Sequence, residues 1–165
     1  MRSYLILFVI YSFSLMVTSC GTNDAKHSEN TDNAVFIIDY QTVKSGVLHG
    51  AGEEGVSQGI IAVSNIEELN DLRNKMNAVN EVVGEDIIAD ERFFEEEMLI
   101  FIFDKVRGTG GYTFKVEEIT ENKEALQVKV LSKPPSGPAT SIMTQPYQIV
   151  SSLKSDKKLT LELIE

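Results

Sequence analysis

Apolar and polar positions fall into distinct blocks along this chain. Tyr4 to Met16 is apolar except for Ser12 and Ser14, and residues 21–33 are small or polar, with Ala25 as the lone apolar side chain. From Ala34 onward the pattern changes to short runs of the kind that build strands and one helix. Val35-Phe36-Ile37-Ile38, followed by Asp39 and Tyr40, reads as a first strand. Gly46, Gly50, Gly52, Gly55 and Gly59 then suit a loop or a bulged edge hairpin, not a helix. Ile60-Ile61-Ala62-Val63 reads as a short strand. Ser64 with Glu67 three positions later is a capping-box pattern, with Ser64 as the N-cap. Ile66, Leu69, Leu72, Met76 and Val79 recur at spacings of three and four while Glu67, Glu68, Asp71, Arg73 and Lys75 take the other faces. That periodicity predicts an amphipathic helix of about four turns.

Residues 80–97 are polar and acidic, interrupted by Phe93-Phe94. Met98-Leu99-Ile100-Phe101-Ile102-Phe103 is apolar at every position, which predicts a central strand covered on both faces, with the helix over one of them. Tyr112, Phe114 and Val116 alternate with Thr113, Lys115 and Glu117. After a turn at Glu121 to Glu124, Leu126, Val128 and Val130 alternate with polar residues, which predicts a hairpin with one wet face. All four prolines lie between Pro134 and Pro146, so residues 133–146 read as a loop. Tyr147 to Val150 and Leu159 to Leu163 are two further strands, joined around Ser155-Asp156-Lys157. The expectation is one α+β domain over residues 34–165. It is a mainly antiparallel β-sheet, a partly open barrel or a sandwich, packed with one amphipathic helix.

Charge and cysteine content narrow the chemistry. The net charge is −10 over 165 residues, which repels phosphate and excludes a nucleic-acid binder. A single Cys excludes an internal disulfide and a Cys-based zinc site, and His27 and His49 lie far apart. That Cys, however, has a telling context. Arg2 supplies a short positive segment, the apolar block is of signal-peptide length, and it ends in Val17-Thr18-Ser19-Cys20. This arrangement resembles the bacterial lipobox. The resemblance implies a signal peptide over residues 1–19 and a lipidated Cys20 carrying palmitate-type acyl chains, enough for stable membrane anchoring. Residues 20–33 then form a tether with a reach of roughly 20 Å. Gly21 takes the place of the Asp that would resemble an inner-membrane retention signal, which leaves either membrane face of the periplasm or the cell surface open and favours the outer membrane or the surface over the inner membrane.

Catalytic groups are sparse. There is no G-x-S-x-G elbow, and His49 lies in the glycine-rich stretch. Gly108-Thr109-Gly110-Gly111 leads into a strand pattern instead of a helix, so a phosphate cradle is disfavoured and a turn of special φ is the better reading. The acids at Glu53-Glu54, at Asp86, Asp90 and Glu91, and at Glu95-Glu96-Glu97 lack the calcium-loop pattern and read as a solvated acidic face. No catalytic residue, cofactor or metal ligand is expected.

The order of features from Phe94 onward has its own signature. An apolar strand, Thr109-Gly110-Gly111-Tyr112, alternating strands, a Pro/Gly loop and Pro146-Tyr147 follow one another. This resembles the C-terminal domain of the protease complex subunit PrcB family, over residues 94–165. Members often carry a Trp in the upstream helix; here Leu69 and Leu72 are the nearest large apolar residues. The family's namesake is a lipoprotein that binds and stabilises a subtilisin-like surface protease. The resemblance therefore implies a non-enzymatic binding or assembly subunit for an exported partner such as a secreted protease. It makes Thr109, Gly110, Gly111, Tyr112, Pro146 and Tyr147 candidate partner-binding residues. The Gly-Tyr turn also looks loosely like that of chagasin-type inhibitors, so a protease inhibitor acting through exposed loops is an alternative, and a carboxylate-based hydrolase is a third. Each motif residue also has a purely structural reading: glycines that permit φ > 0, a Tyr packed with its hydroxyl at the sheet edge, a Pro-Tyr pair that starts a strand.

Overall fold

Residues 34–79, 83–87 and 89–165 are described by a computed structural model. Cys20, His27 and the segments expected to be a leader and a tether lie outside these residues. The described chain runs β1 (Phe36–Ile37), β2 (Tyr40–Leu48), β3 (Gly59–Val63), α1 (Ile66–Met76), α2 (Phe93–Glu96), β4 (Glu97–Phe103), β5 (Thr113–Glu121), β6 (Ala125–Lys133), β7 (Gln145–Leu153) and β8 (Lys158–Ile164).

The strands form two sheets, in the orders β2-β7-β4-β3 and β1-β5-β6-β8, and neither closes into a barrel. The uniformly apolar strand β4 explains how the layers stack. Its alternate side chains Leu99, Phe101 and Phe103 join Leu69, Leu72 and Met76 of α1 in one core. Met98, Ile100 and Ile102 join Phe114, Val116, Ile119, Leu126, Val128 and Val130 of the other sheet in a second core. A strand between two cores must be apolar at every position, and β4 is flanked by strands on both edges as well. The result is three layers, helix on sheet on sheet, of the α+β class expected.

Several local expectations are corrected. The first strand is only two residues long, and a second strand, β2, spans Tyr40–Leu48, taking in Gly46. Strand β2 is half-exposed and bulged at Val43, between the Thr42 and Lys44 pairings, which breaks its alternation. The N-cap of α1 is Asn65, whose side chain accepts from Glu68 N at 2.9 Å, while Glu68 Oε2 accepts from Ser64 N at 2.8 Å. The capping pair is thus one residue later than Ser64–Glu67. The helix stops at Met76, and Asn77 Oδ1 then accepts from Val83 N and Gly84 N, turning the chain away before Val79 can extend it. Phe93–Glu96 forms a short helical turn that leads into β4. The two last strands, joined around Ser155-Asp156-Lys157 as expected, belong to different sheets: β7 lies in the sheet that α1 covers, and β8 crosses to the other sheet and pairs parallel to β6. Glu54 is not solvated; it is 5% exposed and accepts from Gly50 N at 2.6 Å.

The registers define two opposite ends. Tyr40, Glu97 and Leu153 lie together at the end where the chain enters, with β1 paired to Glu121 and Thr120 beside it. Leu48, Phe103 and Gln145 mark the other, far end.

Candidate partner-binding site

The far end is organised by a buried ion pair that follows directly from β4. Asp104 is fully buried, and a buried carboxylate is tolerable only when its oxygens are occupied. Its Oδ1 accepts from Lys105 N at 2.8 Å and from Arg107 Nη2 at 3.0 Å. Its Oδ2 accepts from Arg107 Nε at 2.8 Å and from Ser132 Oγ of β6 at 2.9 Å. Ser132 Oγ in turn accepts from Arg107 Nη2 at 2.7 Å. The Tyr112 ring covers the guanidinium, with its centroid 4.4 Å from Cζ. Desolvation pulls the Arg107 pKa down, and the hydrogen bond and charge of Asp104 outweigh it, so the group stays above its ordinary value and charged.

This pair fixes the turn that follows it. Arg107 N donates to Thr144 O at 2.7 Å, and Thr144 N donates back to Arg107 O at 3.0 Å. Thr144 Oγ1 donates to Thr109 O at 3.0 Å, and Gly110 N donates to Thr140 O at 3.1 Å. The two glycines have different reasons to be there. Gly111 sits at φ +81°, where a side chain is strained. At Gly110 the restriction is space: a Cβ would lie 2.7 Å from Thr140 Oγ1. Residues 107–111 and 140–144 are therefore clamped together over a rigid, charge-paired base.

The candidate residues separate into an exposed and a buried set. Gly111 is exposed, and Thr109 and Tyr112 are half-buried. Gly110, Pro146 and Tyr147 are buried, Tyr147 at 2% exposure. Pro146 and Tyr147 open β7, as their strand-starting reading implied, and Pro146 O accepts from Asp104 N at 2.9 Å. Tyr112, Pro146 and Tyr147 come together in one cleft of ≈ 300 Å³, completed by Phe114 and by Ser45, Gly46 and Val47 of β2. Gly46 is required at its floor, because a Cβ there would lie 2.6 Å from Tyr147 Oη.

Two exposed residues of the same end escaped the sequence reading. Ile142 and Met143 are 54% and 50% exposed, in the loop that Thr140 and Thr144 pin to the glycine turn. Their signal is a pair of large apolar residues inside a segment, 134–144, otherwise made of Pro, Gly, Ser, Ala and Thr. Asp104 and Arg107 were also missed, since charged residues after an apolar strand carry no mark of burial, and so was Ser132, a hydroxyl at the next alternate position after Leu126, Val128 and Val130 in β6.

Elsewhere, His49 is exposed in its loop. A larger cavity of ≈ 630 Å³ lies at the start of α1, lined by Asn65, Glu67, Asp71, Glu91 and Phe94 among others. Asp90 Oδ1 there accepts from Phe93 N at 2.9 Å, and Asp86 pairs with Lys44. That pairing, with its hydrogen bond first, holds the exposed Asp86 carboxyl below its ordinary pKa. Among the described residues no group of three or more His, Cys, Asp or Glu is placed to hold a metal ion.

Comparison with known proteins gives one match. The family model for the PrcB C-terminal domain matches residues 98–151, which run from the second residue of β4 into β7 and contain the glycine turn and the Pro146-Tyr147 strand start. No curated protein and no solved structure matches the chain.

Proposed function

Residues 98–151 match the family model for the PrcB C-terminal domain, and from that match we propose that this protein is a non-enzymatic subunit that binds an exported protein partner while anchored to a membrane through Cys20. The family name places such domains with protease complexes, so an exported protease is the partner class the reading favours. Signal peptide, lipidated Cys20, tether and an outer-membrane or cell-surface location are parts of the same proposal, and rest on the sequence around Cys20.

One observation carries the binding role. Ile142 and Met143 are held out to solvent by a loop that is itself clamped to the family's glycine turn. Exposed apolar side chains on a loop that cannot collapse to bury them are what a docking surface needs. The rigid Asp104–Arg107–Ser132 base lowers the ordering that binding would otherwise require. Tyr112 and the cleft beside it offer the adjoining aromatic contact.

The test is recovery of a partner from detergent-solubilised envelope using the full chain. The expected result is a stoichiometric protein whose abundance falls when this subunit is absent. A monodisperse lipoprotein with no partner, and no protein changed in abundance by its loss, contradicts the proposal.

A further inference from the structure

Ile37 and Leu153 are 74% and 70% exposed, more than any other large apolar side chains among the described residues, and Val35 and Phe36 follow at 62% each. All four lie at the end where the chain enters. Phe36 and Ile37 pair with Glu121 and Thr120 at the close of β5. Leu153 pairs with Glu97 at the start of β4, one residue beyond the Tyr40–Ser152 pairing. Three consecutive residues of an extended segment point to alternate sides, yet all of them are exposed, so no layer formed by the described residues covers either side of β1.

The charges at this end are mixed. The two turns here, residues 121–124 and 154–158, hold Lys123, Lys154, Lys157 and Lys158 against Glu121, Glu124 and Asp156. The chain overall is strongly acidic at −10. Lys157 Nζ bonds Glu121 and Asn122 O, and Lys154 Nζ bonds Phe94 O. Asp39, between β1 and β2, and Glu95, Glu96 and Glu97 at the start of β4 also belong to this end. Turn 154–158 links β7, in the sheet that contains β4, to β8, in the sheet that carries β1, and turn 121–124 joins β5 to β6, so the lysines stand along both sheets at this end. Exposed apolar side chains flanked by lysines, whose long apolar stems reach past them, suit the headgroup region of a bilayer.

We infer that this end of the domain rests on the membrane, with Val35, Phe36, Ile37 and Leu153 inserted at the headgroup–acyl boundary. The occupant is a lipid surface, on the position of the anchor. Cys20 is 15 residues before Val35 in the sequence, and a flexible segment of that length has a typical reach of roughly 20 Å, less than the roughly 30 Å between the two ends of the strands, so an anchor there favours this end at the bilayer. The inference rests on the anchored reading proposed above. It fixes an orientation. Strands of nine residues at ~3.3 Å per residue place the far end, with Ile142 and Met143, roughly 30 Å from the lipid surface. The docking loops therefore face outward, toward partners in the aqueous compartment.

The absence of Trp from the chain makes this measurable. Phe36→Trp and Met143→Trp each introduce one indole at an exposed site of the full-length protein. Both are purified from envelope and reconstituted in phosphatidylethanolamine–phosphatidylglycerol vesicles with and without acyl-brominated phosphatidylcholine. The expected result is a blue-shifted emission for Phe36→Trp that loses about half its intensity to the bromolipid, the response of a residue 5–10 Å into the interface, and an unaffected Met143→Trp. Unquenched emission from Phe36→Trp overturns the inference, and if that emission is blue-shifted, a protein covers the strip instead. Equal quenching at both positions overturns it as well. The intact mass of the same samples reads the anchor separately. If Cys20 carries no lipid, the anchored reading fails; the strip is then judged by quenching at high vesicle concentration, where an unquenched indole again overturns its contact with lipid.

Discussion

Replacing Asp104 by Ala tests whether the far end is built on its buried ion pair. The substitution removes an acceptor of four hydrogen bonds, from Lys105 N, Arg107 Nε, Arg107 Nη2 and Ser132 Oγ. It leaves the Arg107 guanidinium in a site where its side chain is only 10% exposed. Breaking a buried pair from one side destabilises by about 3–5 kcal/mol, because the remaining charge is uncompensated. Here the lower figure applies, since Arg107 keeps its bond to Ser132 Oγ and its contact with the Tyr112 ring. A loss of about 3 kcal/mol in a domain of this size lowers Tm by about 10 °C. Urea unfolding followed by circular dichroism should show a lower midpoint at unchanged slope. The double variant Asp104→Ala/Arg107→Met removes both charges and should recover part of the loss. A single variant within about 1 kcal/mol of the parent, or a double variant less stable than the single, refutes the reasoning.

Three other outcomes follow from the packing. Gly46→Ala forces a methyl against the buried Tyr147 ring, whose Oη, Cζ and Cε1 lie within 2.6–2.9 Å of the new Cβ; overpacking of this kind destabilises by about 1–3 kcal/mol and is read by thermal unfolding. Asn65→Ala removes the acceptor for Glu68 N at the start of α1 and should lower stability by about 1 kcal/mol, whereas Ser64→Ala should leave it near the parent value. In an NMR titration the Asp86 carboxyl should protonate below its ordinary range, and Lys44→Met should return it upward. Because the folded-state pKa is the lower one, this pair's contribution is present above the ordinary carboxylate pKa and disappears as pH falls through the folded value.

The most legible parts of this chain were those where one residue pattern had one physical explanation. The uniform apolarity of Met98 to Phe103 announced a strand between two layers. The spacing of Leu69, Leu72 and Met76 announced the helix that covers one of them. The alternation of Phe114 and Val116, and of Leu126 to Val130, gave the hairpin. It did not give the bulge at Glu117, which lets Val116 and Ile119 both face the core despite an odd spacing. Strand β2 was obscured because an edge strand with few buried positions resembles a loop in composition. The parallel pairing of β8 with β6 was not readable, since pattern reports which face is buried and not which neighbour is chosen. At the site, Gly111 was predictable from the need for positive φ, while Gly110 and Gly46 are set by distant atoms, Thr140 Oγ1 and Tyr147 Oη, that only the folded chain brings near. Asp104, Arg107 and Ser132 are ordinary surface residue types whose burial depends entirely on tertiary placement.

The central claim is that the outward end, through Ile142 and Met143, holds an exported partner. The direct measurement is quantitative recovery of that partner from solubilised envelope by the parent chain and by Ile142→Asp/Met143→Asp, both present at equal level and with equal Tm. The account predicts a stoichiometric partner with the parent and a loss of about tenfold or more with the variant, as expected when central apolar contacts are replaced by charge. Equal recovery by the two chains, or no stoichiometric partner with the parent, contradicts it.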